Sequence, residues 1–373
     1  MRNLDGMSFQ AEAVVDLDTI AANVAALDAH TSARVMAVVK ANAYGHGLVP
    51  TARACLAGGA AWLGCATLDE ALALRAAGIT APVLAWLLAP GLDLASGIDA
   101  DIDLAATSID GLREIAEAPS RRPARVHLKA DTGMGRGGVP AADWSRFVEL
   151  AAKAQADARI EVVGACSHLA CADEPDHPAN AAQRAAFAEF LDAASDAGLR
   201  PSVRHLANSA ATLIDPDSHY DLVRPGIAVY GYPPVDTPVT LRPALSLRAR
   251  LVAVKRLPSG HGVGYGHIFV TDHETTVGLA PLGYADGVPR GVSGRGARVL
   301  VEGQPRPILG RVSMDQVVID VDGTGAREGD VVEFYGPHQI TADDWAAWND
   351  TIAYELLTSV GNRVPRRYVG AGS

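Results

Sequence analysis

The chain has 373 residues, which is long for one ordinary domain and suits two. Hydrophobic residues make up 49% of it and charged residues 20%, as in globular proteins that fold in water. The net charge of -11 argues against a nucleic-acid-binding surface and against an anionic membrane as partner. Residues 1–10 lack the apolar core of a signal peptide, and no apolar run reaches membrane-spanning length. We therefore expect a cytoplasmic protein.

The four cysteines are Cys55, Cys65, Cys166 and Cys171, and they form no Cys-x-x-Cys pair. No matching pair of histidines or cysteines completes a zinc-binding set around them. We expect reduced and mostly buried thiols, and no metal site.

The first predicted elements are a strand at residues 13–17 and the helix that follows it, with Asp18 as the N-cap. The strand lies in a segment, residues 11–17, that could pair with either of two domains. The residues on the apolar face of the helix are Ile20, Val24 and Leu27.

The next predicted strand, residues 35–41, is a β-branched apolar run that is typical of a buried parallel strand. It carries Lys40 at its end. A lysine is costly inside a core unless it has a partner or a covalent function, such as Schiff-base formation. A lysine that simply reaches solvent is the alternative explanation.

Apolar, strand-like segments then recur every 20 to 40 residues up to residue 226, and helical patterns separate them. One such helix opens with a capping box at Thr67 and Glu70. Eight strand–helix repeats indicate a (β/α)8 barrel of the TIM type, with a doubly wound open sheet as the alternative. The predicted strands are residues 35–41, 61–67, 81–87, 102–107, 125–131, 160–170, 202–207 and 220–226.

A proline-rich linker at residues 233–238 marks a change of period. Residues 245–253 alternate between apolar and mostly polar side chains, which is typical of a half-exposed antiparallel strand, and residues 343–360 look helical. We expect a barrel domain at residues 1–235 and a mainly-β domain at residues 239–373. The further strands predicted in the second domain are residues 276–281, 297–301, 316–321 and 331–335.

Polar side chains gather at the predicted carboxyl ends of the barrel strands, where such a barrel has its catalytic face. The loops after the last two strands commonly bind phosphate, for which Ser209 offers a hydroxyl and Gly226 a close backbone approach. A lysine nucleophile beside a phosphate site suggests pyridoxal phosphate. Each residue alone has an ordinary structural explanation, and their coincidence on one face is what favours a site. The residues in question are Lys40, Lys129, Asp131, Arg136, His168, His205, Asn208, Ser209, Arg224 and Gly226.

Eight stretches of the chain resemble the motifs of the alanine racemase family, which are pyridoxal-phosphate enzymes of fold type III. Residues 37–47, around Lys40, resemble the cofactor-attachment motif. The motifs occur in order over nearly the whole chain, so chance does not account for them. The other seven stretches are residues 127–136, 207–211, 223–227, 263–266, 283–287, 310–316 and 349–355.

This resemblance implies two-base interconversion of L-alanine and D-alanine through a pyridoxal-phosphate external aldimine, supplying D-alanine for peptidoglycan. Lys40 would hold pyridoxal 5′-phosphate as an aldimine and act as one base, and Tyr265 from a second copy of the chain would act as the other. Two bases on opposite faces of a planar intermediate exchange the α-proton without rotating the substrate. The active unit would then be a head-to-tail homodimer with shared active sites.

The other roles are implied by the same resemblance. Arg224 would face the pyridine nitrogen, where a permanent positive charge disfavours pyridinium and suppresses transamination. His205 would orient Arg224, and His168 would pack beside the ring. Lys129 matches a lysine often found carbamylated in the family, and the carbamate would fix Arg136 near the cofactor's phenolic oxygen.

The implied cofactor-binding residues are Lys40, Tyr44, Arg136, His168, Asn208, Ser209, Arg224, Gly226, Ile227 and Tyr354, of which Tyr44, Ser209 and Tyr354 resemble phosphate ligands. The implied substrate-binding residues are Arg136, Met314 and Asp315, and the implied entrance residues are Arg311 and Ile352. The chain departs from the family pattern at Gly137, Gly138 and Pro225, none of which removes a functional group.

Three other functions compete with this interpretation. A racemase of broader specificity, acting for example on serine, would carry the same motifs. A decarboxylase of basic amino acids shares the two-domain plan, but it should have a catalytic cysteine and an acidic partner for the pyridine nitrogen, where this chain has Tyr265 and Arg224. A non-catalytic pyridoxal-phosphate carrier resembles the barrel alone, and the β domain argues against it.

Overall fold

The computed structural model describes residues 9–370, which divide into two compact units. The barrel unit comprises residues 20–43 and 48–241. The strand-rich unit comprises the chain up to residue 19, residues 44–47, and the chain from residue 242 onward. Most of the segment considered for a signal peptide, together with residues 371–373, lies outside the described range.

The strands are β1 (Ala11–Asp16), β2 (Arg34–Val38), β3 (Trp62–Cys65), β4 (Val83–Ala85), β5 (Asp103–Ala106), β6 (Ala124–Lys129), β7 (Ile160–Cys166), β8 (Val203–His205), β9 (Leu222–Val223), β10 (Leu245–Arg250), β11 (Ala253–Leu257), β12 (Gly262–Val263), β13 (Phe269–Val270), β14 (Thr275–Ala280), β15 (Arg298–Val301), β16 (Gln304–Leu309), β17 (Val317–Asp320), β18 (Val331–Tyr335) and β19 (Arg366–Val369). The helical segments are α1 (Leu17–His30), α2 (Lys40–Tyr44, a left-handed turn), α3 (Leu48–Ala57), α4 (Leu68–Ala76), α5 (Leu94–Asp99), α6 (Ile109–Glu117), α7 (Trp144–Ala156), α8 (Pro178–Asp196), α9 (Ser209–Ile214), α10 (Ala342–Asn349) and α11 (Ala353–Ser359).

Strands β2 to β9 form a nearly closed parallel barrel in the spatial order β8-β7-β6-β5-β4-β3-β2-β9. Backbone hydrogen bonds from Asp221 N to Arg204 O (3.0 Å) and from Arg224 N to Ala207 O (3.0 Å) bridge β9 and β8. The predicted (β/α)8 barrel is therefore confirmed. Most of the strands are shorter than predicted, because the apolar runs continue into the loops at the strand ends.

One hydrophobic cluster in the barrel takes a residue from seven of the eight strands: Met36, Trp62, Leu84, Ala105, Val163, Val203 and Leu222. The remaining strand, β6, contributes a fully buried histidine, His127, whose ring meets that of Trp62 edge-on at 5.4 Å between centroids. Because side chains fill the inside of such a barrel, a ligand is held by the loops that follow the strands.

The strand-rich unit contains a nine-stranded sheet in the order β11-β14-β17-β16-β15-β18-β10-β1-β19. The N-terminal strand β1 lies in it, antiparallel to β10 and parallel to β19. Of the two pairings left open for this strand, the structure has the one with the C-terminal domain. Helix α1 begins at Leu17, two residues earlier than an N-cap at Asp18 predicts. The capping role assigned to Asp18 was wrong, because Asp16 Oδ1 accepts the hydrogen bond from Thr19 N (3.0 Å).

Five strands of this unit were not predicted: β11, β12, β13, β16 and β19. Strand β16 contains Pro305 and Pro307, which argue against a central strand because proline donates no ladder hydrogen bond. Both prolines lie where β16 pairs with β15, whereas only Ile308 and Leu309 also pair with β17. The prolines therefore occupy the part of the strand that has a single neighbour.

No helix in the described range is long and apolar enough to cross a membrane. Residues 9–370 also contain no group of three or more histidine, cysteine or acidic side chains arranged to hold a metal ion. The four cysteines are free thiols, and only Cys171 among them is partly exposed.

Candidate active site

Lys40 lies just beyond β2 rather than inside it. It opens α2, a turn in which four consecutive non-glycine residues, Ala41 to Tyr44, have φ between 50° and 54°. Each such residue costs about 1–2 kcal/mol relative to a right-handed conformation. The prediction of a strand through residue 41 was therefore wrong, and the chain turns sharply at the carboxyl end of β2.

Hydrogen bonds within the barrel unit hold this left-handed turn. Ala41 N donates to Glu70 Oε1 (2.6 Å), and Leu48 N donates to Asn42 Oδ1 (2.8 Å). Glu70 is also the N3 residue of the predicted capping box, which the structure confirms at Thr67. One carboxylate thus anchors both the start of α4 and the backbone next to Lys40.

The side chain of Lys40 is half-buried, and its Nζ lies 5.9 Å from the centroid of the Trp86 ring. Burial lowers the pKa of Lys40, the guanidinium of Arg136 lowers it further, and Glu70 opposes both. A lowered pKa increases the fraction of unprotonated amine, which is the nucleophilic form.

Lys129 ends β6, and the loop that follows returns to it. A Cβ on Gly137 would lie 3.5 Å from Lys129 Nζ, so the backbone next to Arg136 passes beside the amine. Burial lowers the pKa of Lys129, and Arg224 and Arg136 add to the effect. The loop is held by Asp131, whose Oδ1 accepts hydrogen bonds from three backbone N–H groups, those of Gly133, Met134 and Gly135.

His168 follows β7 by two residues and stands among cations. Burial lowers its pKa well below the ordinary value, and Arg224, Arg136, Lys129 and Lys40 all contribute in the same direction. The ring is therefore neutral at physiological pH. Four cationic side chains acting on one histidine show that the strand ends carry concentrated positive charge.

Arg224 follows β9 directly and is buried. Its Nη2 donates to the carbonyl oxygens of Ser167 (2.7 Å) and Leu206 (3.1 Å) and lies 3.3 Å from His168 Nδ1. Its Nη1 lies 2.9 Å from His205 Nδ1. Because a guanidinium only donates, both histidine nitrogens accept from it.

The loops after β8 and β9 meet at Ser209, the first residue of α9. Ser209 Oγ accepts hydrogen bonds from the backbone N–H groups of Gly226 (2.8 Å) and Ala228 (3.4 Å). Asn208 caps α9 by accepting from Ala211 N (3.1 Å). A second short helical turn begins at Ile227. The first N–H groups of such turns have no partner inside the turn, so this corner suits an anionic group.

These residues fit pyridoxal 5′-phosphate. The cofactor needs an amine for its aldehyde, cations or amide donors for its phosphate, and partners for its phenolic oxygen and ring nitrogen. Lys40 supplies the amine, the Ser209 corner supplies a hydroxyl and amides, and Arg136 and Arg224 supply cationic donors. The positive charge around His168 would be offset by the dianionic phosphate.

Tyr44 and Tyr354 lie together in the strand-rich unit. Their ring centroids are 6.1 Å apart, with an angle of 50° between the ring planes. Burial raises the pKa of the Tyr44 hydroxyl, and Tyr354 adds to the effect. The Tyr44 hydroxyl is therefore an un-ionised donor over the physiological range, which suits contact with a phosphate oxygen.

Tyr265 stands at the tip of the small hairpin formed by β12 and β13, and it is 71% exposed. Gly264 and Gly266 flank it with φ of +67° and +71°, a conformation that favours glycine. The guanidinium of Arg311 lies beside Gly266, where an added Cβ would be 3.6 Å from Arg311 Nη1. The tight turn thus presents the tyrosine to solvent next to Arg311.

Two of the family-like stretches pack on each other in the same unit. Tyr284 N donates to Ser313 O (3.1 Å), and Ala285 N donates to Met314 O (3.0 Å). Gly283 is required here, because any Cβ would collide with the carbonyl oxygens of Ser313 and Met314. Met314 itself is 52% exposed.

Asp315 is held by an ion-pair network. Arg363 bridges Asp315 (2.5 Å) and Asp286 (2.6 Å). Ile352, the residue before α11, is 59% exposed. Of the residues predicted for the substrate mouth and entrance, Arg311, Met314, Asp315 and Ile352 all belong to the strand-rich unit, whereas Arg136 belongs to the barrel.

Sequence reasoning missed the support around these residues. Glu70 was recognised only as a capping residue, and Trp86 was counted only within a strand. Asp103 and His127, both fully buried, were assigned no role. A signal was present for both, because Asp103 and His127 each lie between two apolar residues of a predicted strand, where a polar side chain is unusual.

The sequence matches known proteins over nearly its whole length. The family model described as "Alanine racemase, N-terminal domain" matches residues 15–234, and "Alanine racemase, C-terminal domain" matches residues 244–368. The sequence is 53% identical to the alanine racemase of Thermobifida fusca (strain YX), over 98% of this chain and 100% of that protein. It is 46% identical to that of Mycolicibacterium smegmatis (strain ATCC 700084 / mc(2)155), over 97% of this chain and 95% of that protein.

The fold agrees with this sequence similarity. The alanine racemase of D-cycloserine-producing Streptomyces lavendulae superposes with a TM-score of 0.95 at 49% identity, covering 98% of both chains. The chain therefore belongs to the alanine racemase family, the pyridoxal 5′-phosphate-dependent isomerases that interconvert L-alanine and D-alanine.

Proposed function

We propose that this chain racemises alanine with Lys40 and Tyr265 as its two proton-transfer groups. Racemisation needs a proton removed from one face of Cα and another delivered to the opposite face. Lys40 has the lowered pKa and the half-buried position that a proton acceptor requires. Tyr265, exposed on a tight turn, is accessible from outside its own chain.

When bound, pyridoxal phosphate would supply the electron sink that makes the Cα proton of alanine removable. Lys40 holds the cofactor between turnovers and moves the proton at one face of Cα. Tyr265 moves it at the other face. Arg224, with its guanidinium fixed by carbonyl oxygens and His205, directs a permanent positive charge at the ring nitrogen.

The other predicted residues bind and orient. The phosphate corner of the barrel unit is formed by Ser209, Asn208, Gly226 and Ile227. The phosphate donors of the strand-rich unit are Tyr44 and Tyr354. His168 packs beside the ring as a neutral imidazole. Arg136 contacts the phenolic oxygen and the substrate, and Met314 and Asp315 shape the mouth of the site.

We propose that Lys129 is carbamylated. The amine would attack carbon dioxide, forming a C–N bond and releasing one proton. The lowered pKa of Lys129 favours this reaction because only the unprotonated amine attacks. The resulting anion would pair with Arg136, and it would offset part of the positive charge around His168.

The active unit is proposed to be a head-to-tail homodimer in which each chain lends Tyr265 and Met314 to its partner's site. Exposed apolar side chains of the strand-rich unit are the groups that such a partner would cover. The exposed large side chains of the strand-rich unit include Tyr265, Ile268, Tyr284, Met314 and Ile352. We place the dimer in the cytoplasm, where it would supply D-alanine for peptidoglycan.

The observation that carries the proposal is the half-buried, pKa-lowered Lys40 among cations at the end of a barrel strand. Incubation of the holoenzyme with L-alanine in D2O should incorporate deuterium at Cα and form D-alanine. Tyr265→Phe should keep the cofactor's absorbance and lower racemisation about 100-fold or more. Tyr220→Phe, a matched change in the barrel unit, should leave the rate unaltered. Absence of exchange, or full turnover by Tyr265→Phe, would overturn the proposal.

A further inference from the structure

A line of buried polar side chains runs through the barrel core to Arg224. Arg224 Nη1 lies 2.9 Å from His205 Nδ1, and His205 Nε2 lies 2.8 Å from His127 Nδ1. His127 Nε2 lies 3.4 Å from Asp103 Oδ2. All four residues are buried, and both histidines have no accessible surface. The line thus joins β9 to β5 across the inside of the barrel.

The barrel makes room for His127. Its neighbour across β7 is Gly164, where any Cβ would collide with the imidazole ring. The register of β6 against β7 also shifts between Val126 and His127. A glycine and an irregularity at the same place, beside an otherwise apolar layer, indicate that this histidine is accommodated for a purpose other than filling space.

The direction of every hydrogen bond in the line follows from its two ends. Arg224 can only donate, so His205 Nδ1 accepts and the proton of a neutral His205 lies on Nε2. That proton is donated to His127 Nδ1, which leaves the proton of a neutral His127 on Nε2, pointing at the acceptor Asp103. Both ends require the same direction, from Arg224 through His205 and His127 to Asp103.

The Asp103 end is anchored separately. Asp103 Oδ1 accepts from Arg125 Nε at 2.6 Å, and Arg125 also lies 3.6 Å from Glu161. The carboxylate is therefore held on one oxygen by Arg125 and faces His127 with the other. A carboxylate at the end of a line of hydrogen bonds polarises each donor in turn and strengthens the last acceptor, His205 Nδ1.

We propose that Asp103 and His127 are positioning residues for Arg224: through His205 they fix the orientation of the guanidinium that faces the cofactor's ring nitrogen. This rests on the proposed place of Arg224 at that nitrogen. The line keeps both imidazoles neutral, in one tautomer each, and gives the buried guanidinium a directed link to a carboxylate that is two side chains away. Neither Asp103 nor His127 touches the substrate.

The tautomers provide a test that is independent of catalysis. In nitrogen-15 spectra of the histidine-labelled holoenzyme between pH 6 and 8, His127 and His205 should each show a bare Nδ1 and a protonated Nε2. The signals are assigned by their loss in His127→Gln and His205→Gln. A proton on Nδ1 of either ring, or a doubly protonated ring, would overturn the line of hydrogen bonds whether or not the chain is a racemase.

Two variants test the consequence for Arg224. His127→Phe keeps a ring but leaves His205 Nε2–H without an acceptor, so the absorbance maximum of the bound cofactor should shift. The kcat for alanine should fall about tenfold or more, as for other partners that orient a functional group, with KM changed less than about twofold. His127→Gln can accept from His205 and donate to Asp103, so it should recover most of both.

The control is Asp101→Asn, a carboxylate two residues from Asp103 that pairs with Arg122 at the surface. It should match the parent protein in absorbance and kcat. Parental absorbance and kcat in a folded His127→Phe holoenzyme would contradict the proposal while leaving the racemase assignment intact. If His127→Phe does not fold, two measurements remain. The nitrogen-15 spectra of the parent protein test the tautomers, and the kcat of His127→Gln is compared with that of the parent protein.

Discussion

The chemistry of this chain starts from a lysine whose surroundings oppose its charge. Lys40 follows β2 and Lys129 ends β6 of the same barrel, and one arginine, Arg136, lowers the pKa of both. Holding several cations together costs folding free energy unless an anion offsets them. The concentration of positive charge is therefore best understood as a binding feature for an anionic cofactor.

The lowered pKa values predict an order of reactivity in the apoenzyme. A lysine whose pKa is below the ordinary value loses its proton at a lower pH and is acetylated at a lower pH. Lys40 and Lys129 should therefore reach half-maximal acetylation by acetic anhydride at a lower pH than the exposed Lys153. Peptide mass spectrometry after brief labelling from pH 6 to 11 measures all three in one sample.

In that experiment, the accessibility of each lysine to the reagent has to be distinguished from the protonation state of its amine. Rates are compared as fractions of each lysine's own plateau, so a half-buried side chain that reacts slowly still gives its midpoint. Midpoints for Lys40 and Lys129 equal to or above that of Lys153 would show that their surroundings do not lower their pKa values.

At the scale of elements, the left-handed turn after β2 is unusual because consecutive non-glycine residues in it have positive φ. Its strain is offset by hydrogen bonds, including one of 2.6 Å from Ala41 N to Glu70 Oε1. Glu70 also accepts from Ala66 N (3.0 Å) and Thr67 N (3.2 Å) through its other oxygen. The capping box of α4 and the setting of Lys40 therefore depend on one carboxylate.

Removing that carboxylate should cost more than removing the cap. Thr67→Ala loses the cap and should lower the free energy of unfolding by about 1 kcal/mol. Glu70→Ala keeps Thr67 Oγ as the acceptor for the backbone N–H of residue 70, but it leaves Ala41 N, Ala66 N and Thr67 N without their carboxylate acceptor. It should therefore cost about 1–3 kcal/mol beyond Thr67→Ala. Urea unfolding monitored by circular dichroism gives both values.

Asp69→Ala, an exposed acidic residue of the same helix turn, is the matched control and should change stability by less than about 0.5 kcal/mol. Equal losses for Glu70→Ala and Thr67→Ala would mean that the contact with Ala41 does not support the turn.

The same elements show how much of the fold can be predicted from the sequence. Eight apolar runs were enough to predict the barrel, because burial on both faces of a parallel strand leaves a strong pattern. The turn at Ala41 was not predictable, since alanine at positive φ follows from the long-range contact with Glu70 and not from local preference. Strand β16 was missed because its prolines are tolerated only at the side with a single neighbour, which is a property of the assembled sheet.

The residues of the candidate site likewise divide into those that could be predicted from the sequence and those that could not. Functional groups such as Lys40, Arg224 and Ser209 could be named from motif and strand-end position. The residues that hold them, including His127 and Asp103, could not be ranked, because the order Arg224, His205, His127, Asp103 joins strands that are distant in sequence. Hydrogen-bond direction becomes visible only when both ends of such a line are known.

At the scale of the whole molecule, the predicted site residues are distributed over two compact units. Lys40, Arg136, His168 and Arg224 belong to the barrel unit, and Tyr265 belongs to the strand-rich unit. Tyr265 is 71% exposed in a single chain, so its side chain is accessible to a second copy. The proposal that it completes the site of a second copy is thus the central claim about the assembled protein.

Mixed dimers test this claim most directly. Lys40→Ala and Tyr265→Phe chains are each expected to be inactive alone. If the two residues of one site come from different chains, unfolding and refolding an equal mixture should restore about a quarter of parental racemase activity, because half of the dimers are mixed and each of these has one intact site. Mixed dimers, confirmed by native mass spectrometry, that show no activity above the separate variants would contradict the shared site.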